Sequence, residues 1–238
     1  MADVKRGEKS GCITVKQNKD MREDKHYELT DETIEFDGHT LHRIRYTKDF
    51  RNITKGTLGG FVENYDNLCD EAWVSGDAKV YAGAVVKNRA SVYGNTCVSN
   101  CAVICERACI CDSVIVSGSA WIGGYTKISG FTVVRQKGCL PLDIGVYAEI
   151  RGDAVIESNR DYIIFKNWWS SCRYFIWTRS NDMWCVGCFY GTGKELIAKA
   201  YKDSKVSGRE YERVVKYVEQ IKRDSKPSLW ERVKRMLK

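Results

Sequence analysis

Two kinds of residue in this 238-residue chain have types and spacing that fit chemistry on an anionic guest. The first is a pair of arginines eighteen apart, Arg89 and Arg107. The second is a basic and aromatic run, Lys166 to Tyr190, in which Trp169, Arg173, Trp177 and Arg179 stand out. Guanidinium forks grip phosphate, and indole faces stack on nucleobases at about 1–3 kcal/mol per base. Strand alternation puts Arg173, Phe175, Trp177 and Arg179 on one face, where two cations flank apolar rings. The competing reading makes these aromatics the core of a small domain. For the arginine pair it has Glu71 and Glu106 neutralising the charge locally.

Side chains suited to bond-breaking are scarce. The three histidines, His26, His39 and His42, all precede the repeat described below. No paired carboxylates and no Ser–His spacing nominate a hydrolase. The stretch "GTGK" at 191–194 lacks the earlier glycine and the following Ser or Thr of a phosphate-binding loop, and reads as a helix-entry turn. The eleven cysteines suit a reducing compartment, where they stand in for Ala or Ser. Cys185 and Cys188 form a lone CxxC within a predicted strand, whose alternation sends them to opposite faces and argues against zinc. The residues therefore nominate no catalytic group, metal or cofactor, and binding without chemistry is the simpler account.

What brings Arg89 and Arg107 together is a repeat of six. From Leu68 an aliphatic residue recurs at Val74, Val80, Val86, Val92, Val98, Ile104, Ile110, Val116, Ile122, Ile128 and Val134. Two places before each next member stands, with few exceptions, a small residue: Ala72, Ala78, Ala84, Ala90, Thr96, Ala102, Ala108, Val114, Ala120, Thr126, Thr132 and Gly138. Neither the 3.6-residue period of a helix nor the 2-residue period of a strand gives this, but a hexapeptide solenoid does. Three hexads close a triangular coil of eighteen residues, and coils stack at about 4.8 Å. The phase breaks across "RQKGCLPLD", where Pro141 cannot join a ladder, and resumes at Ile144, Ile150 and Ile156 as a fifth coil. Stacking puts Arg89 and Arg107 on one corner between Glu71 and Tyr125. Two like charges ~5 Å apart repel by about 3 kcal/mol at an effective dielectric near 20, less in salt, which favours an anion between them. It also predicts two outward apolar ladders, Val85–Val103–Trp121 and Cys97–Ile115–Val133.

The rest of the chain divides around this solenoid. Residues 1–25 are polar without periodicity and read as a flexible leader without a secretory core. Residues 26–67 read as a β cap with a hairpin at Asp37-Gly38 that protects the first coil's edge. The solenoid occupies 68–161, with its break near 135–143. Residues 162–223 read as a β-meander with two helices, begun by capping boxes at Thr192/Glu195 and Ser207/Glu210. Residues 224–238 form a basic amphipathic tail. Of the net charge of +7, residues 222–238 carry seven basic and two acidic side chains, so the body is near neutral and nucleic-acid contact is confined to the tail. No apolar run long enough to span a membrane is present.

The hexad resembles that of left-handed β-helix proteins, so the expected fold is a left-handed parallel β-helix of about five coils between its β cap and its β/α domain. Along most of its length the chain also resembles hexapeptide-repeat proteins encoded in phages and prophages. The resemblance is carried by "YELTDETIEFDGHTLHRIR", "KGTLGGFVE", "AWVSGDAKVYAGA" and "NDMWCVGCFYGTGKELI". It implies a homotrimer packed through the apolar ladders, in the cytoplasm of an infected or lysogenic bacterium. It also implies a setting of accessory proteins that counter host defence, among them sponges for nucleotide signals such as cyclic dinucleotides, cyclic oligonucleotides or ADP-ribose derivatives. It maps no ligand residue. Hexapeptide acyltransferases and γ-carbonic anhydrases need histidines in the coils, and here there are none. An acyltransferase-like enzyme, a structural or partner-binding phage protein, and a nucleic-acid binder acting through the tail remain the alternatives.

Overall fold

A computed structural model describes residues 25–137 and 140–225. The leader, apart from residue 25, and the tail beyond residue 225 lie outside the described residues, as does Gly138. Every aliphatic residue of the sixfold series is wholly buried, as are Ile144, Ile150 and Ile156. Each inward residue pairs in parallel with its counterpart one coil on. One ladder runs Val74, Val92, Ile110, Ile128. A second runs Val80, Val98, Val116, Val134. A third runs Val86, Ile104, Ile122. The last layer keeps register across the break, pairing Ile122 with Ile144, Ile128 with Ile150 and Val134 with Ile156. The extra residues near Pro141 therefore leave the prism as a loop, and the fifth coil closes as before. Thr96 and Thr132 are tolerated among the small inward positions because their hydroxyls donate to Tyr93 O and Ser129 O, both at 2.9 Å.

The corners turn through left-handed backbone. At one corner Asp70, Asn88, Glu106, Gly124 and Val146 have φ of 55, 58, 58, 66 and 64°. Side chains stitch the coils together there. Asn88 N–H donates to Asp70 Oδ2 at 2.9 Å, Glu106 N–H to Asn88 Oδ1 at 3.3 Å, and Gly124 N–H to Glu106 Oε2 at 2.5 Å. Short polar side chains offset the cost of the left-handed turn through these bonds, whereas the β-branched Val146 has no such compensation.

Both ends of the prism are covered. The hairpin Tyr27–Phe36/His39–Tyr46 turns at Asp37-Gly38, pairs with Leu58–Val62, and passes through it into one face of the solenoid as a continuous eight-stranded sheet. Lys25 Nζ caps the carbonyls of Tyr65 and Leu68, each at 2.7 Å. At the other end lies an antiparallel sheet of four strands, Tyr162–Lys166, Tyr174–Thr178, Met183–Val186 and Phe189–Gly191. One face, with Tyr162, Ile164, Ile176 and Cys185, packs against the coils. The other, with Phe175, Trp177 and Trp184, is covered by helices α1 (Gly193–Asp203) and α2 (Lys205–Asp224).

Two local expectations are corrected. Helix α2 starts at Lys205, not after Ser207: Ser204 is the sole residue between the helices, its hydroxyl accepts the Ser207 N–H, and Glu210 pairs with Arg213 instead of closing a capping box. The CxxC is not within one strand, because that strand ends at Val186 and Gly187 turns with φ 56°. Cys185 faces the core and Cys188 is exposed.

Candidate functional site

Stacking at one corner brings Arg89 and Arg107 one coil apart, the Arg89 amide donating to Glu106 O at 2.8 Å and the Arg107 amide to Gly124 O at 3.0 Å. Glu71 forms an ion pair with Arg89 at 3.1 Å, both side chains about half exposed. Such a pair is worth under about 1 kcal/mol and leaves the guanidinium open to a better acceptor. Glu106 forms no ion pair with either arginine among the described residues; its Oε2 accepts the Gly124 amide, and its charge stays at the corner. Arg107 lies over the Tyr125 ring at 5.6 Å, and no carboxylate among the described residues pairs with it. The cap adds a third guanidinium: Arg51 Nη2 donates to Arg89 O at 2.8 Å. Partial burial, then the charge on Arg89, hold its pKa below the usual arginine value. Three guanidiniums thus share the corner with two carboxylates, of which Glu71 alone forms an ion pair among the described residues.

Above Arg107 the same corner becomes aromatic. Tyr125 stacks on Tyr147 at 5.1 Å between centroids and 8° between planes, and Tyr147 on Tyr174 at 5.4 Å and 9°. Lys166 closes the column over the Tyr174 ring at 5.8 Å. Tyr125 and Tyr147 are 55% and 52% exposed, so the column presents ring edges to solvent while its ring faces meet each other. Beside it runs a groove of about 540 Å³ lined by Tyr125, Lys127, Tyr147, Cys172, Arg173 and Tyr174. Its remaining carboxylate, Glu149, is engaged by Arg151. The arrangement offers donors for an anion at both ends and an apolar ribbon between them, against which a flat heterocycle can lie edge-to-face.

The structure thus gathers Arg89, Arg107 and Arg173 on one strip and places the other three candidates elsewhere. Trp177 is wholly buried beneath the helices, its indole N–H donating to Asp182 Oδ1 at 2.8 Å. The strand face it shares with Phe175 is a core face, which corrects the reading of that face as a binding surface. Trp169 packs edge-on against Tyr211 at 4.9 Å, and its buried Nε1 has no partner among the described residues. Arg179 follows the far end of the strand, donating to Arg160 O at 3.0 Å and lying over Trp177.

Sequence reasoning missed Tyr147, Tyr174, Arg51 and Lys127. Tyr147 was within reach, because the loop near Pro141 shifts the corner by four residues and the shifted phase puts a tyrosine above Tyr125. Tyr174 and Arg51 belong to the appended sheet and cap, whose docking no repeat phase encodes.

No family model matches the chain, and no curated protein matches it. Among the described residues no helix is long and apolar enough to cross a membrane, and no group of three or more His, Cys, Asp or Glu is placed to hold a metal ion.

Proposed function

We propose that this protein binds an anionic nucleotide without transforming it, holding the guest along the strip from Arg51, Arg89 and Arg107 through the tyrosine column to Arg173. The observation that carries the reading is an exposed stack of parallel tyrosines running from Arg107, with which no carboxylate among the described residues pairs, to a groove lined by Arg173 and Lys127. Charged hydrogen bonds at about 1.5–3 kcal/mol and edge-to-face ring contacts at about 0.5–1.5 kcal/mol, two of each, bracket the roughly 8 kcal/mol of a micromolar complex. The likeness to phage-encoded hexapeptide proteins supplies the setting: a homotrimer in the bacterial cytoplasm that withdraws a nucleotide signal from antiviral defence.

The test is recovery of the guest. Purified protein is incubated with cyclic dinucleotides, cyclic oligonucleotides and ADP-ribose derivatives, desalted, denatured, and the released ligand is identified by mass. Intact release of one class, lost in Arg107→Ala and Arg173→Ala, supports sequestration. An altered product makes the protein an enzyme, and retention of nothing removes the reading.

A further inference from the structure

The strip has two cationic ends, and their separation limits what can occupy both. Arg107, Tyr125 and Tyr147 occupy successive coil layers and Tyr174, from the terminal sheet, stacks above them at a similar spacing, so Arg107 and Tyr174 are three steps, about 15 Å, apart, with Arg173 next to Tyr174 in the chain. A mononucleotide, with phosphate and base on one sugar, reaches one end and only part of the column. At about 3.4 Å per stacked nucleotide the span corresponds to roughly four residues of a single strand, and to fewer when the strand is stretched. The tyrosine repeat of 5.1 and 5.4 Å is longer than the stacked spacing and favours the stretched form. The lower end also has a stop. Below Arg89 the corner continues into Glu71 and Asp70, carboxylates that oppose a further phosphate.

We infer that the guest is a short oligonucleotide of about three nucleotides, linear or cyclic, with phosphates held at both the Arg51–Arg89–Arg107 end and the Arg173 end, and Lys127 one coil above Arg107 along the way. This rests on the nucleotide reading above and narrows it to a ligand that is neither a mononucleotide nor an open-ended polymer. Arg51 becomes a binding residue contributed by the cap, so the site includes cap, coils and terminal sheet together.

The test is a length series. Linear 5′-phosphorylated oligoribonucleotides of adenosine and of uridine, from mononucleotide to hexanucleotide, and their cyclised forms are titrated calorimetrically into the whole protein at fixed physiological ionic strength. Affinity should rise roughly tenfold or more, about 1.4 kcal/mol, between the mononucleotide and the trinucleotide, then level off. Arg51→Ala and Arg173→Ala should each flatten that rise, while circular dichroism spectra stay unchanged. The linear and cyclic arms decide which form the strip takes. Equal affinity from the mononucleotide upward would overturn the two-ended ligand and leave nucleotide binding standing. An affinity that keeps climbing with length and collapses in salt would also overturn it, marking a general polyanion surface. Absence of binding at every length, linear and cyclic, would overturn the oligonucleotide guest, and the recovery panel with its ADP-ribose derivatives would then decide whether nucleotide binding itself stands.

Discussion

Protonating His26 would place a cation against the Tyr46 and Phe50 rings, which stack on it at 5.7 and 4.6 Å, in a site where the residue is 4% exposed. Burial lowers its pKa below the ordinary histidine value, with Lys48 and Lys25 adding to the effect and the bond from Nε2 to Ala72 O opposing it. The folded state therefore stays neutral where the unfolded chain, with a pKa of about 6.5, takes up a proton. Stability from this group is fully present above about pH 7.5, falls as pH drops through the unfolded value, and levels off below the folded one. Chemical denaturation between pH 7.5 and 5 should show that decline. His26→Phe, which keeps the ring stack but loses the bond to Ala72, should be less stable at neutral pH and show a shallower slope; an unchanged slope would refute the assignment. A second residue reports on the groove. Cys172 is exposed on its wall, Cys101 is exposed elsewhere on the solenoid, and burial pushes the Cys185 thiol up to about 12. Mild alkylation should label Cys172 and Cys101 and spare Cys185. A bound nucleotide should slow labelling of Cys172 but not Cys101, and equal rates with and without ligand would place the guest outside the groove.

Rungs and corners carry different loads. Ile110 is wholly buried mid-solenoid, so Ile110→Ala should cost about 2–5 kcal/mol, whereas Ile115→Ser, at a side chain 46% exposed, should cost far less in the isolated subunit. Equal losses in urea unfolding would mean that the inward and outward registers are wrong. Val146 is the opposite case, a β-branched residue at φ 64° and 53% exposed, whose carbonyl accepts the Tyr125 N–H at 2.7 Å. Left-handed backbone costs such a residue about 1–2 kcal/mol, and asparagine much less. Val146→Asn should therefore stabilise the fold by about 1 kcal/mol and raise the melting temperature; a fall would show that the valine side chain supports the tyrosine column. These elements also show what the sequence made legible. The coils were readable because each rung repeats one physical demand, an aliphatic residue inward and a small one near the corner. Arg89, Arg107 and Tyr125 fell into line from that period alone. Alternation correctly grouped Phe175 with Trp177, but it cannot say which face of a sheet a later helix will cover, so a core face passed for a recognition face. The start of α2 was misplaced for a related reason, since Ser204 and Ser207 are both competent caps and only the tight junction with α1 selects the first.

At the scale of the molecule, the three faces of the prism are unequal. Val85, Val103 and Trp121 line one face and Cys97, Ile115 and Val133 another, as their pairings require. The third carries Trp73, Ser91, Cys109, Lys127 and Glu149. Trp121 remains 43% exposed with Lys87 over its ring, and Phe131 is 74% exposed, so water meets much apolar surface on the isolated chain. The arginine–tyrosine corner lies between the Trp121 face and the Lys127 face. Packing of subunits through the two apolar faces would bury the ladders and leave the cationic strip at the rim of the interface, open to a charged guest. The homotrimer proposed above therefore carries a specific expectation. Light scattering should give about three times the 27.2 kDa of one chain at micromolar concentration. Trp121→Glu places a carboxylate where the apolar ladder meets its neighbour, and should shift the mass toward one chain while leaving the circular dichroism of the coils unchanged. Nucleotide affinity in that variant separates two architectures. If it is retained, the strip of one subunit suffices, as the unbroken stacking from Arg107 to Tyr174 within one chain indicates. If it is lost with folding intact, a neighbouring subunit completes the site. A wild-type protein that runs as a single chain would show that these ladders tolerate water and that the trimer is wrong.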